Sequence, residues 1–389
     1  MHIFKGDNPT ELYWLSIKKL VEEGQELAPR GKRIKEIRPA VFEFTDPLRR
    51  VTFLRGRLIN PFFQLAESIW ILSGYSDVSR LVPFNQSMAQ FSDDGTFFHA
   101  SYGERLRYWN KNDESGFVFN PIDQLSDVYE KIVKDTHTRQ AVAIIYNPMF
   151  DNHSYTGKDT PCNIVLLFKV RNSKLDLTVV NRSNDISWGV FGANIVQFST
   201  IQELMASWLS VGVGTYYQVT DSLHVYLDDY GAKCTVDILS NQANHPVADF
   251  QFPNAARITW DKEQTNKHLW TSIQSLYNAT INDEAVSCVS DVVFSSILEI
   301  SDLYFRDALL AMLAYRIYKV DGYNVGRLVD VLGSMSNSEW KVCCTRFLYN
   351  SKYSGHPLFE QKLIEDTWGD NEPLKQYIKR AGEVFNDGK

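Results

Sequence analysis

Thr160-Pro161-Cys162-Asn163 and Asn181-Arg182-Ser183-Asn184-Asp185 bracket the most informative segment of the chain. Between them run Ile164-Val165-Leu166-Leu167-Phe168-Lys169-Val170 and Leu175-Asp176-Leu177-Thr178-Val179-Val180, joined by the polar Arg171-Asn172-Ser173-Lys174. Two β-forming runs around a short polar turn predict a β-hairpin. Cys162 and Arg182 are 20 residues apart, so the hairpin brings a thiol and a guanidinium together at its open end. A thiol beside a fixed positive charge ionises more readily and becomes a competent nucleophile. Arg182 with Ser183 is also suited to clamp a phosphate. Nucleophile and phosphate site together point to covalent chemistry on a phosphorylated substrate.

Outward from the hairpin, Ile195, Val196, Phe198, Ile201, Leu204, Met205, Trp208 and Leu209 give the next segment a broad apolar helical face. Upstream, Gln140 to Tyr146 reads as a buried strand and residues 121–135 as a helix. Residues 61–74 read as a buried helix ending at Gly74, and Ala40-Val41-Phe42-Glu43-Phe44 as a strand that follows a basic segment from Arg30 to Arg38. Residues 10–24 have helical periodicity, with Tyr13, Ile17, Leu20 and Val21 on one face and Gly24 as the stop. Past Phe252-Pro253 strand signals thin out and helical stretches take over, notably Ser301 to Val320 and Val325 to Leu332. The expected architecture is α/β (α+β): a mixed sheet core flanked by helices over residues 1–255, then a mostly helical extension over 256–389. The turn near Asn254 is the candidate linker.

A content of 44% hydrophobic and 22% charged residues suits a globular protein. No apolar run is long enough for a membrane span, and the start of the chain lacks a signal-peptide profile, so a cytoplasmic protein is expected. Cys162, Cys234, Cys288, Cys343 and Cys344 show no metal-ligand spacing and suit reduced thiols, with Cys343-Cys344 filling a helix interior. A net charge of −7 argues against nucleic acid as the main partner, while leaving room for a local basic phosphate site. Glu67 is unusual, a carboxylate inside the otherwise apolar Ala66 to Leu72 run. Burial without a partner is costly and raises a carboxyl pKa toward neutrality, which suits proton transfer.

The chain resembles the thymidylate synthase superfamily, which also contains pyrimidine-nucleotide hydroxymethylases. The motifs that carry the resemblance are, in order, Ala66-Glu67-Ser68-Ile69-Trp70-Ile71-Leu72-Ser73-Gly74, Ser101-Tyr102-Gly103, Thr138-Arg139, Pro161-Cys162, Arg182-Ser183-Asn184-Asp185, Gly189 and Ser222-Leu223-His224-Val225-Tyr226. The resemblance implies that Cys162 adds to C6 of a pyrimidine nucleotide, so that C5 can accept a one-carbon unit from 5,10-methylenetetrahydrofolate, with no metal. It implies Glu67 as general acid/base and Tyr102 as a proton-relay hydroxyl. Arg182 and Ser183 become phosphate ligands, joined by Arg30 and, across a homodimer interface, by Arg139. His224 and Tyr226 take the sugar 3′-hydroxyl, and Asp185 the pterin ring.

Three departures narrow the expectation. The base-reading position, counted from Gly189 without a gap, falls on Ala193 with Asn194 next; an amide can serve uracil or cytosine by flipping. Met88 stands where synthases keep a tryptophan over the cofactor. The polar end, Val384 to Lys389, differs from the short apolar tail with which synthases close the site. The last two favour water over hydride as the final acceptor. The leading expectation is therefore a folate-dependent 5-hydroxymethylase, with CMP or dCMP favoured on the Ala193-Asn194 arrangement. A thymidylate synthase or dUMP hydroxymethylase is the alternative. A non-catalytic nucleotide-binding homologue is less suited, since binding alone has no need of the thiol.

Overall fold

The hairpin forms where the pattern places it, as β6 (Asn163–Arg171) and β7 (Lys174–Asn181). Its two-residue turn holds Asn172 at φ 50° and Ser173 at φ 57°. Two positive φ angles in succession match the right-handed twist of the flanking strands. The computed structural model describes residues 1–54, 57, 59–109, 120–152, 155–228, 233, 235, 238, 239, 250, 252, 256–320 and 324–379, leaving aside the side chains of 283–290. The expected linker turn at Asn254, the chain end at 384–389, Cys234 and the side chain of Cys288 lie outside the described residues.

The chain packs as two units. One comprises Met1–Leu54, Trp70–Val78 and Met88–Val247; the other comprises Arg55–Ile69, Ser79–Ser87 and Ala248–Lys389. In the first unit the remaining strands are β1 (His2–Gly6), β2 (Gln25–Leu27), β3 (Ile34–Ile37), β4 (Ala40–Phe44), β5 (Val142–Ile144), β8 (Asn184–Asp185), β9 (Gly212–Thr220) and β10 (Leu223–Tyr226). Six of the strands make a mixed sheet in the order β1-β4-β9-β7-β6-β5, and the other four a small sheet in the order β2-β3-β10-β8. β5 is shorter than the Gln140–Tyr146 run because Ile145 and Tyr146 both donate their N–H groups to Ile164 O, which breaks the ladder.

Helix α1 (Pro9–Glu23) starts at an Asn8 cap and stops at Gly24, where a Cβ would lie 2.3 Å from Leu20 O. Helix α2 (Pro61–Leu72) is buried on every side, as an all-round apolar helix must be. Short α3 (Tyr102–Arg107) is capped by Ser101, and amphipathic α4 (Gln124–Lys134) by Asp123. Long α5 (Ile195–Trp208) lies against β7 and β9. The core of this unit is aromatic: Phe42 is fully buried, stacks on Phe4 at 5.0 Å and meets the edge of Phe191 at 5.4 Å.

The opposite sheet face is different. Registered pairs align Val41 with Val219, Val219 with Val180 and Val180 with Val165, so four half-buried valines form one row across β4, β9, β7 and β6.

The second unit is helical after residue 256, as the sequence indicates, with α6 (Gln274–Ile281), α7 (Asp283–Leu298), α8 (Leu303–Val320), α9 (Val325–Gly333) and α10 (Glu339–Leu348) as its main helices. Cys344 is fully buried in α10. Its core also takes in residues from early in the chain. Phe62 of α2 stacks on Tyr315 at 4.9 Å and meets Phe347 at 5.5 Å; Phe84 stacks on Tyr315 at 5.9 Å.

Replacing Phe42 by Ala removes a ring with no exposed surface and leaves a cavity among three other aromatics. A loss of about 3–5 kcal/mol in unfolding free energy is expected. Urea titration followed by near-ultraviolet circular dichroism checks it.

Candidate active site

At the open end of the β6–β7 hairpin, Arg182 grips the loop before β6 with backbone and side chain at once. Its N–H donates to Cys162 O at 2.9 Å, its Nε to Pro161 O at 2.9 Å and its Nη2 to Thr160 O at 2.9 Å. The same Nη2 lies 3.8 Å from Cys162 Sγ. A guanidinium fixed by two carbonyls cannot swing away, so the thiol keeps a positive neighbour. Burial pushes the Cys162 thiol up, and the charges of Arg182 and Arg30 pull it back toward ionisation, against Asp159 and Asp185.

Tyr102 enters from the N-terminus of α3. The backbone N–H groups of Cys162 and Asn163 hydrogen-bond its hydroxyl, while burial strongly disfavours its phenolate. Phe198 of α5 lies along its ring at 6.3 Å. Gly103 follows because a Cβ there would sit 2.7 Å from Ile71 O. Tyr102 is thus a proton donor in contact with the nucleophile's backbone, not a phenolate.

Arg30 is exposed and holds a left-handed φ of 53° in the turn Pro29–Gly31. Its charge reaches both Cys162 and Tyr226. Ser183, between β7 and β8, is half-buried. His224 and Tyr226 stand two apart on β10 with their rings perpendicular at 5.3 Å. Among the described residues, the buried Nδ1 of His224 has no hydrogen-bond partner, the state of a group that awaits a ligand hydroxyl.

Asp185 accepts the backbone N–H of Trp188 through Oδ1, opening a π-helix, Ile186–Asn194. A π-helix carries an extra residue relative to an α-helix. Ala193 and Asn194 are the last two residues of that π-helix. Ala193 bears only a methyl, whereas the buried Asn194 amide exchanges hydrogen bonds of 3.3 Å with Asn163 in both directions and donates to Asn184 Oδ1 at 3.2 Å. Asn184 in turn donates to Gln218 at 2.9 Å. Gly189 makes room for this network, because a Cβ there would overlap Asn184 Oδ1. Sequence reading placed Asn184 within the Arg182 to Asp185 motif without a role, and gave none to Asn163 or Gln218, because an amide's partners lie on distant strands. It missed Asp159 as well, although the residue is three before Cys162.

Cys162, Tyr102, Arg30, Arg182, Asp185 and Tyr226 therefore act on one another within the first unit. Arg139 sits elsewhere, exposed on the turn before β5 and absent from the groups that act on the thiol. Met88 is half-buried in the 3-10 turn Gln86–Phe91. Glu67 belongs to the second unit, where it is 7% exposed on α2. The next residue, Ser68, donates to Leu65 O at 2.8 Å and faces Tyr304 Oη at 3.1 Å. Among the described residues no group of His, Cys, Asp or Glu is arranged to hold a metal ion, and no helix is long and apolar enough to cross a membrane.

With a thiol, a phenol and two arginines gathered in this unit, the chain belongs to the thymidylate synthase family of one-carbon transferases, whose model matches residues 12–267. Over 98% of its length it is 49% identical to the whole of the deoxyuridylate hydroxymethyltransferase of Bacillus phage SP01. A second protein of that name, from Pseudomonas phage M6, is 35% identical over 56% of this chain and 58% of its own. A putative thymidylate synthase of Methanocaldococcus jannaschii is 27% identical over 54% of this chain and 85% of its own.

Removing the guanidinium by Arg182→Met takes away the positive charge nearest the thiol, so the thiol pKa rises. The midpoint of the iodoacetamide alkylation rate against pH is expected to move up by about one unit. An unmoved midpoint would show that Arg182 does not activate Cys162.

Proposed function

We propose that the protein 5-hydroxymethylates deoxyuridylate. The observation that carries this reading is the Cys162 thiol held 3.8 Å from Arg182 in a chain that matches a deoxyuridylate hydroxymethyltransferase from end to end. The amide at Asn194 serves uracil as well as cytosine, so Ala193-Asn194 gives no reason to prefer CMP or dCMP. The relative's name tips the choice to dUMP.

In this reading Cys162 Sγ bonds to C6 of the base, and C5 becomes the carbon nucleophile. Arg182, Ser183 and Arg30 hold the phosphate, His224 and Tyr226 the sugar hydroxyl. Asn194 meets the base edge through Oδ1, which keeps a lone pair for N3–H while its own N–H groups are held by Asn163 and Asn184. Tyr102 and Glu67 supply and remove protons at the ring. The family's co-substrate, methylenetetrahydrofolate, supplies the one-carbon unit at the oxidation level of formaldehyde. The residues present fit it: the Trp188 indole is 42% exposed beside the Asp185 carboxylate, a flat apolar platform next to an acceptor for ring N–H groups. Met88 gives a less complete wall than an indole would, which suits entry of water.

The half-buried row Val41, Val219, Val180 and Val165 is the surface on which a second copy would pack sheet to sheet. We take the active form to be a homodimer, in which the exposed Arg139 reaches the partner's phosphate site.

Mass spectrometry of products from dUMP, dCMP, UMP and CMP with methylenetetrahydrofolate tests the substrate. 5-Hydroxymethyl-dUMP is expected, with no dihydrofolate absorbance; a 5-methyl product matched by dihydrofolate restores synthase chemistry. Cys162→Ser is expected to lower turnover by at least about a thousandfold while keeping nucleotide affinity. Mixing inactive Cys162→Ser with inactive Arg139→Ala subunits should return part of the activity through hybrid dimers carrying one intact site. A monomer by light scattering at working concentration counts against the shared site.

A further inference from the structure

Asp159 is placed against the interest of the nucleophile. Its negative charge acts on the Cys162 thiol and raises the cost of ionising it, and it acts on Tyr102 in the same sense. A carboxylate that weakens the attacking group needs a use of its own. Its position is tightly built. Oδ2 accepts the N–H of Ala100 at 2.8 Å, two residues before Tyr102, so the side chain ties the Tyr102 segment to the Cys162 segment. Its own N–H donates to Tyr155 Oη at 2.9 Å, and that hydroxyl donates to Asp93 at 2.6 Å. The Tyr155 ring stacks on His99 at 3.7 Å, His99 Nε2 lies 2.9 Å from Asp151, and Asp151 is held by Arg105 through two bonds of 2.5 and 2.8 Å. Among the described residues, Oδ1 of Asp159 has no hydrogen-bond partner. The half-buried carboxyl thus has one oxygen fixed and the other open, and desolvation raises its affinity for a proton.

We propose that Asp159 is the general base for the water that completes hydroxymethylation. The inference rests on the hydroxymethylase reading above. In the covalent intermediate the base carries an exocyclic methylene at C5 and Cys162 Sγ at C6. Water oxygen bonds to the methylene carbon while one water proton passes to Asp159 Oδ1, and the π pair moves onto O4 as an enolate. Collapse of the enolate re-forms the C5–C6 double bond and expels Cys162 as a thiolate. The proton on Asp159 then returns to solvent. No oxidant or reductant is consumed. Tyr102, a neutral phenol, can donate a hydrogen bond in this step but cannot take the water's proton.

The test is Asp159→Asn in the full chain, since the amide oxygen can still accept from Ala100 N–H. With dUMP tritiated at C5 and methylenetetrahydrofolate, tritium release reports loss of the C5 hydrogen, before water adds. The ratio of 5-hydroxymethyl product to tritium released reads the water step alone, whatever fraction of the protein is folded. That ratio is expected to fall at least about a hundredfold, the range of a lost general base. Added 2-mercaptoethanol should then be captured as a 5-thioether nucleotide, because a thiolate adds without help from a base. An unchanged ratio, with tritium release and product falling together or not at all, overturns the proposal. Parent protein that makes no 5-hydroxymethyl-dUMP instead overturns the substrate reading, so the two failures are distinct.

Discussion

The site depends on the grip of Arg182 on the loop that carries Cys162. Four contacts made by one residue, to Cys162 O, Pro161 O, Thr160 O and the thiol itself, turn a loop before an edge of the hairpin into a rigid mount. The electrostatic gain is modest, because burial acts the other way on the same thiol. The gain in position is larger. A nucleophile must be presented at one distance and one angle to a ring carbon, and a preorganised guanidinium does this while still offering N–H groups to a phosphate.

Around that mount the protein places polar groups in its interior in an unusual density. Asn163, Asn181, Asn184, Asn194, Gln218 and Thr220 are all buried, on strands β6, β7, β8, β9 and the π-helix. Buried amides are costly unless their hydrogen bonds are met, and around Asn194 they are met by one another. Asn194 is held from two sides by Asn163 and Asn184, and Asn184 by Gln218. Asn194 ends the π-helix that leads from Asp185 into α5, so the pitch of that helix sets where its amide meets the network.

The helical part of the chain gains its core from residues that precede it by about two hundred positions or more. Tyr277 Oη donates to Arg80 O at 3.0 Å, Arg316 Nη1 to Pro83 O at 3.3 Å, and Asn60 Nδ2 to Phe84 O at 2.8 Å. Together with the rings of Phe62, Phe84, Tyr315 and Phe347, these bonds hold the start of α2 and the segment 79–87 within the second unit. Glu67 lies on the portion of α2 that this unit holds, and the segment 79–87 runs directly on to Met88.

The local elements and the pairing of Cys162 with Arg182 are legible in the amino-acid order alone. Alternating apolar residues at 163–181, helical spacing at 9–23 and 195–208, and turn residues such as Asn172 and Gly24 act over a few positions, so they are legible one window at a time. The order of motifs from Glu67 to Tyr226 likewise marked the family and its thiol. Tertiary structure alone decided what depends on distant partners. The network that holds Asn194 depends on the pitch of a π-helix and on amides from three strands. The value of Asp159 emerged only once its carboxylate met Ala100 across 59 residues of chain. The membership of 55–69 and 79–87 in the helical unit followed from aromatic packing that no short window contains. Hydrophobic burial rewards any suitable surface that the folded chain brings near, and a linear pattern does not say which surface that will be.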